Sequence, residues 1–250
     1  MKFYLCIDDT DNLDSIGTGT IAEQILEKII EKGFGPCSLV TRHQLFIHPD
    51  IPYTSHNSSM CFYGEAPDHS LSTIIDLASH HLDTVAAEGS DPGLCVLKFD
   101  TASDYSGLIS FGKAAKKTVL TKADAIACAE EHQLHLSEHG GTGQGIIGAL
   151  AGVGLRLFGS DGEIKGALKY IEINRPYQVH ELIEFPEVDV VLDLDSKEAL
   201  SPMTSINMGA RSKTVMYQNQ SVLFAIKSDD GHFESLTKPK IRQLGESFYV

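Results

Sequence analysis

Apolar and polar positions along this chain follow two periods, and they alternate in blocks. Phe3 to Ile7 is an unbroken apolar run, which predicts a strand covered on both faces. From Thr20 onward Ile21, Ala22, Ile25, Leu26, Ile29 and Ile30 recur at helical spacing, and Gly33 supplies a stop. Pro36 to Ile47 reads as further strand. Pro49 and Pro52 bias their predecessors away from helix, so an irregular segment follows and runs on through the polar stretch Thr54 to Ser59. Met60 to Tyr63 is a short strand, Leu71 to Val85 a helix, and Leu94 to Phe99 a strand after the turn Ser90-Asp91-Pro92-Gly93.

Two more helices are expected, over Tyr105 to Lys117 and Lys122 to His132, before Leu134 to Ser137 alternates like a strand. A glycine-rich loop, Gly140 to Gly145, leads into Ile146 to Phe158, which is apolar on nearly every side and so predicts a buried helix. Gly145, Gly148 and Gly152 would let neighbouring backbone approach it closely. Beyond Gly159 the pattern turns to strands: Ala167 to Ile173, Val188 to Leu194, and a hairpin of Ser221 to Lys227 with His232 to Leu236 across Asp229-Asp230-Gly231. The expected class is α/β or α+β. The change of pattern near residues 118 to 135 suggests domains of 1–125 and 126–250.

Composition narrows the function. With 20 basic against 34 acidic side chains the net charge is −14, which disfavours holding nucleic acid by bulk charge. Cys6, Cys37, Cys61, Cys95 and Cys128 contain no C-x-x-C pair and read as buried, reduced thiols. The opening Met1-Lys2 and strand-like run lack the pattern of a secretion signal, and no stretch approaches the roughly 20 apolar residues that cross a membrane. Cytoplasmic residence without membrane contact is the expectation.

The densest chemistry lies after the first strand. Asp8, Asp9, Asp11 and Asp14 crowd four carboxylates into seven residues, a repulsion that a hard divalent cation would relieve. In an extended segment Asp9 and Asp11 point to one side and converge on a metal, with Asp8 facing the other way for a second ion or an outer contact. Gly17-Thr18-Gly19-Thr20 then leads into the helix, whose free N–H groups and dipole attract anions. A solvated turn, with Asp14 or Ser15 capping the helix, explains the spacing as well.

The loop Gly141-Thr142-Gly143-Gln144-Gly145 precedes a helix, so its amides are candidates to cradle a phosphate. It is neither a Walker A loop, since Ile146-Ile147 stands where Lys-Ser/Thr belongs, nor a dinucleotide fingerprint. Tight packing of the following helix would also demand these glycines. The eleven histidines show no zinc-ligand spacing, and no G-x-S-x-G elbow supports serine hydrolase chemistry. Among basic residues, Arg42 is the candidate partner for phosphate.

Three segments in the same order, Ile7-Asp-Asp-Thr-Asp11, Ile51-Pro-Tyr53 and Gly143-Gln-Gly-Ile-Ile-Gly-Ala149, resemble the archaeal isoleucine-tRNA 2-agmatinylcytidine synthetases, with Ser90-Asp-Pro-Gly93 as a weaker fourth match. The resemblance covers about residues 1 to 175. It implies a kinase-like, mixed-sheet N-terminal domain followed by a ferredoxin-like domain. It also implies joining of agmatine to a tRNA cytidine using ATP, with Asp8, Asp9 and Asp11 as catalytic carboxylates around Mg2+ and phosphate. A threonine near the first helix receives phosphate in that family, and either Thr18 or Thr20 matches it. The chain departs from the pattern where Thr54-Ser-His-Asn-Ser58 replaces basic residues and where Gln144 replaces an arginine. It also carries no cysteine after Cys128 to build the family's zinc ribbon.

The resulting expectation is an ATP- and Mg2+-dependent phosphotransfer or ligase enzyme acting on a small-molecule acceptor or amine, and open to homodimer formation. Asp8, Asp9, Asp11, Thr18 and Thr20 would serve chemistry. Gly17, Gly19, Arg42, Gly141, Thr142, Gly143, Gln144 and Gly145 would bind the nucleotide. The alternatives are tRNA modification with a separate tRNA-binding partner, and a nucleotide sensor without catalysis.

Overall fold

The structure, a computed structural model, describes residues 1–51, 57–173 and 175–244. Pro52 and Tyr53 of the Ile-Pro-Tyr motif, and Thr54, Ser55 and His56 after it, lie outside the described residues. By internal contacts the chain forms two compact units, Met1–Phe158 and Gly159–Val250.

The first unit runs β1 (Lys2–Asp8), α1 (Thr18–Glu31), β2 (Thr41–Gln44), β3 (Ser58–Glu65), α2 (Leu71–Val85), β4 (Gly93–Phe99), α3 (Ser106–Ala114), α4 (Lys122–Glu131), β5 (His135–Glu138) and α5 (Gly145–Phe158). Its strands lie in the order β5-β4-β1-β3-β2, every neighbouring pair antiparallel. β1 is central, which is why its apolar run is unbroken: Phe3, Leu5 and Ile7 meet α1 and α2 on one face, while Tyr4 and Cys6 meet α5 on the other. Cys6 lies directly opposite both Cys61 and Cys95 across the strands, and all five cysteines are free. Burial pushes the Cys6 and Cys95 thiols well above their ordinary range, so these three side chains behave as small apolar groups.

The succession β1-α1-β2-β3-α2-β4 with strand order β4-β1-β3-β2 is a split βαβ arrangement. Resemblance led us to expect a ferredoxin-like arrangement in the second half, and this one lies in the first. The boundary expected between residues 125 and 126 falls inside α4 of the first unit. The cause is α5, which packs on β1 and β4 through Ile146, Ala149, Leu150 and Val153 and so keeps residues up to 158 on the first sheet. Pro36 to Ile47 is strand only at Thr41–Gln44, and β3 begins at Ser58, earlier than its apolar core suggests.

The second unit contains β6 (Glu163–Ile164), β7 (Pro176–Gln178), α6 (Val179–Leu182), β8 (Val190–Asp193), β9 (Ser205–Asn207), β10 (Thr214–Tyr217), β11 (Gln220–Lys227), β12 (Phe233–Ser235) and α7 (Lys238–Leu244). Its strands follow the order β6-β10-β11-β12-β9-β7, and β8 also pairs with β11. The expected hairpin of β11 and β12 is present and antiparallel. The expected strand Ala167 to Ile173 is a series of turns, with Leu168 at φ +56, because Gly166 and Leu168 both take left-handed backbone. β10 escaped the sequence reading since its turn to β11, Gln218-Asn219 at φ +49 and +64, carries no Asn-Gly signal.

Candidate active site

β1 delivers Asp8 to its C-terminal end, where the backbone leaves the extended region at once. Asp9 takes φ +50, a left-handed conformation that Asp tolerates better than most residues. The expectation that Asp8 faces away from Asp9 and Asp11 therefore fails. The turn re-aims successive side chains, and all three carboxylates line one cavity of about 230 Å³. Thr10 anchors the turn: its carbonyl accepts the Ala87 N–H at 3.0 Å, and its buried hydroxyl has no hydrogen-bond partner. Asp11 Oδ2 accepts the backbone N–H of Thr18 at 3.2 Å, so the anion nearest the start of α1 is the protein's own carboxylate.

Asp8 is buried, and the reason is α5. A Cβ built on Gly148 would lie 1.6 Å from Asp8 Oδ2, so only glycine lets the helix backbone reach the carboxylate. Burial first, then the charge of Asp9, pushes the Asp8 carboxyl up to about 8. Burial followed by the charges of Asp91 and Asp11 raises Asp9 to about 6.

Asp91 is the residue that motif reading left out, although its Ser90-Asp-Pro-Gly turn was visible. Its carboxylate lies within the turn of the glycine loop, accepting from the Thr142 N–H and, at 2.5 Å, from Thr142 Oγ1. Its carbonyl accepts the Gly145 N–H at 3.1 Å. Two of the amides expected to cradle a phosphate thus hold Asp91. Lys122 Nζ braces the same loop, donating to the Thr142 carbonyl at 2.8 Å and pairing with Glu138 at 2.6 Å.

Of the glycine loop, Thr142, Gln144 and Gly145 line the acidic cavity, whereas Gly141 and Gly143 do not. Thr18 is buried and lines it; Thr20 is exposed and does not. Gly17 caps α1 without a side chain, and Gly19 is buried within that helix. Arg42 is not a cavity residue. On β2 it lies opposite Met60, which puts it on the sheet face remote from Asp8, where it donates to Gln44 Oε1 at 2.8 Å. The remaining wall is Leu45, Ala115, Val119, Leu120 and Ile147, with Asn57 and Ser58 polar beside it. Among the described lining residues there are four aspartates, Asp50 included, and no lysine, arginine or histidine.

The donor set is all oxygen, as magnesium requires, and a cation would offset the burial and, after it, the mutual repulsion that raise the Asp8 and Asp9 carboxyls. Among the described residues no group of three or more acidic, histidine or cysteine side chains is placed to hold a metal ion. A magnesium ion here would need water or substrate oxygens for most of its shell.

No protein-family model and no curated protein matches this chain. Solved structures do. A tRNA fluorescent labeling enzyme and the complex of TiaS with an isoleucine tRNA and ATP each align with TM-score 0.54 and 27% identity over 62% of this chain and 36% of theirs. Apo TiaS, a tRNA agmatidine synthetase, aligns with TM-score 0.52 and 26% identity over 62% of this chain and 35% of its own. The chain thus spans about a third of the length of these neighbours. One of them was solved with its tRNA and ATP, and none of them supports the expected small-molecule acceptor. No described helix is long and apolar enough to cross a membrane. In its ordered motifs and in its mixed α/β fold, this chain is similar to TiaS over 62% of its length.

Proposed function

We propose that this chain is an ATP-using, tRNA-modifying enzyme of ligase type, with its chemistry at the cavity of Asp8, Asp9, Asp11 and Thr18. The observation that carries the proposal is the convergence of those four residues on one pocket, in a fold shared with a protein solved with an isoleucine tRNA and ATP. Such an enzyme activates an oxygen of the target base by phosphoryl transfer and lets an amine displace it.

Asp9 and Asp11 are the residues to hold magnesium, which when bound supplies the positive charge that admits a polyphosphate to an acidic cavity. Asp8, buried and protonated at neutral pH without a cation, would orient the accepting oxygen through its own hydroxyl, and becomes a base only once a bound cation has displaced that proton. Thr18, against the cavity at the start of α1, is the better match to the family's phosphate-accepting threonine, since Thr20 points to solvent. The apolar wall of Leu45, Val119, Leu120 and Ile147 suits a nucleobase, and the surplus of carboxylates suits a cationic amine. We assign this kinase-like role to the first unit. With a net charge of −14, contact with tRNA relies on local groups instead of bulk charge.

The test is ATP consumption in the presence of Mg2+, tRNA and agmatine. Wild type converts ATP in a tRNA-dependent manner, and Asp9→Ala abolishes conversion while leaving the melting temperature near that of wild type. Full turnover in Asp9→Ala overturns the assignment.

A further inference from the structure

Outside the acidic cavity, one cluster has the layout of a nucleophile with its base. β5 is the edge strand of the first unit's sheet, and His135, Ser137 and His139 alternate onto the face that also carries α2. Ser137 Oγ lies 2.8 Å from His139 Nε2, and His139 Nδ1 lies 2.7 Å from Asp83 Oδ1 on α2. On its other side Ser137 Oγ lies 3.0 Å from His135 Nε2. None of these four residues lines the acidic cavity.

With His139 as the neutral base that the chemistry requires, the direction of each bond follows. The Asp83 carboxylate only accepts, so His139 carries its hydrogen on Nδ1 and presents a bare lone pair at Nε2. Ser137 therefore donates its single hydroxyl proton to His139. That leaves Ser137 Oγ as the acceptor for His135, whose Nε2 must be protonated. Burial and the neighbouring His139 hold His135 below the usual imidazole range, consistent with a neutral ring that donates through Nε2. The side chain of His139 is 7% exposed, which fixes its ring, while Ser137 retains partial exposure on the open strand.

We propose that Ser137 is the nucleophile of a second, acyl-transferring site, with His139 as general base, Asp83 positioning it, and small carboxylic esters as the substrate class. Ser137 Oγ forms a bond to the ester carbonyl carbon as its proton passes to His139 Nε2. The C–O bond to the leaving alcohol then breaks, and that alcohol departs with the proton. Water repeats the sequence on the acyl-serine, releasing the carboxylic acid and restoring the hydroxyl. The donor at His135 Nε2 holds the serine oxygen in place before attack, while the charge of the tetrahedral intermediate develops on the ester carbonyl oxygen. The G-x-S-x-G elbow cannot reveal this arrangement, because here the serine lies on β5 and its base two residues on, just past the strand's end.

The test uses the full chain with two probes, a fluorophosphonate whose adduct is located by peptide mass spectrometry and p-nitrophenyl acetate for turnover. The expected result is one adduct, on Ser137, and a burst of p-nitrophenolate. His139→Gln slows both by roughly 10²- to 10⁴-fold, the usual contribution of a general base. Asp83→Asn slows labelling with no change in melting temperature, and Asp83→Glu restores it, which a purely structural link between α2 and β5 would not do. If His139→Gln melts early, the Asp83 pair carries the same comparison. Ser137→Ala loses the adduct and keeps ATP-dependent activity. Absence of a Ser137 adduct in wild type, or labelling equally fast in the folded base variant, overturns the proposal.

Discussion

Gly148 and Asp8 are in closer contact than any side chain would permit: a Cβ on Gly148 would sit 1.6 Å from the Asp8 carboxylate. α5 is thus the lid over the first acidic residue, and its glycine sets how deeply that residue is buried. Gly152 repeats the pattern one turn on, with a Cβ there 2.3 Å from Cys6 Sγ. Helix and central strand approach through their backbones, and the site is a product of that approach.

Gly148→Ala should therefore lower stability by about 1–3 kcal/mol, the usual effect of overpacking, and should also cut ATP-dependent activity by displacing Asp8. Thermal melting and a turnover assay check both. A variant with wild-type melting and wild-type turnover would remove α5 from the site.

Asp91 holds the glycine loop in place of an external anion. Asp91→Ala leaves the Thr142 N–H and hydroxyl without their carboxylate partner, while the Gly145 bond to the carbonyl of residue 91 survives, and should cost about 1–3 kcal/mol. Limited proteolysis should cut between residues 139 and 145 faster than in wild type. Cleavage at the wild-type rate would show that the loop is held by other contacts.

The two raised carboxyls set a pH dependence whose sign follows from linkage. Asp8, raised to about 8 chiefly by burial, and Asp9, raised to about 6, keep protons in the folded state that an unfolded chain releases near pH 4. From pH 4 to 8 the folded state binds more protons, so these groups make the ligand-free protein less stable as pH rises, and the slope ends near pH 8. Asp8→Asn should therefore melt higher than wild type at pH 8, with the difference shrinking toward pH 4. Millimolar Mg2+ should stabilise wild type at pH 8 and have little effect on Asp9→Asn. A melting difference that does not change with pH would contradict the burial of an ionisable Asp8.

Phosphate transfer to the protein, if it follows the family's pattern, should mark Thr18. Incubation with ATP and peptide mass spectrometry should find the label there, lost in Thr18→Val and retained in Thr20→Val. Label on Thr20 would place the acceptor on the solvent side of α1.

Much of the first unit was legible from periodicity. The helix Leu71–Val85 was anticipated to the residue, and β1, α1, β4 and α5 came within a few residues, because each buries a face whose period of apolar positions survives in the chain. The short strands of the second unit were harder. β7 and β9 have three residues each, too few for a period to register, and the α6 turn has four. Arg42 was misassigned for a related reason: alternation along β2 says that Thr41 and His43 share a face, but which face only the pairing with β3 decides.

By itself, then, the sequence determined the chemical inventory and its local order: an acidic loop after a buried strand, a glycine loop before an apolar helix, and ordered motifs that resemble those of TiaS. The tertiary structure alone decided where those pieces point. It turned Asp8 to the same cavity as Asp9 and Asp11, filled the glycine loop with Asp91, and set Asp83 against His139 across 56 residues of chain. Secondary structure is written in short periods that neighbouring residues share. A site depends on one left-handed φ, one missing Cβ and the register of paired strands, none of which leaves a periodic trace.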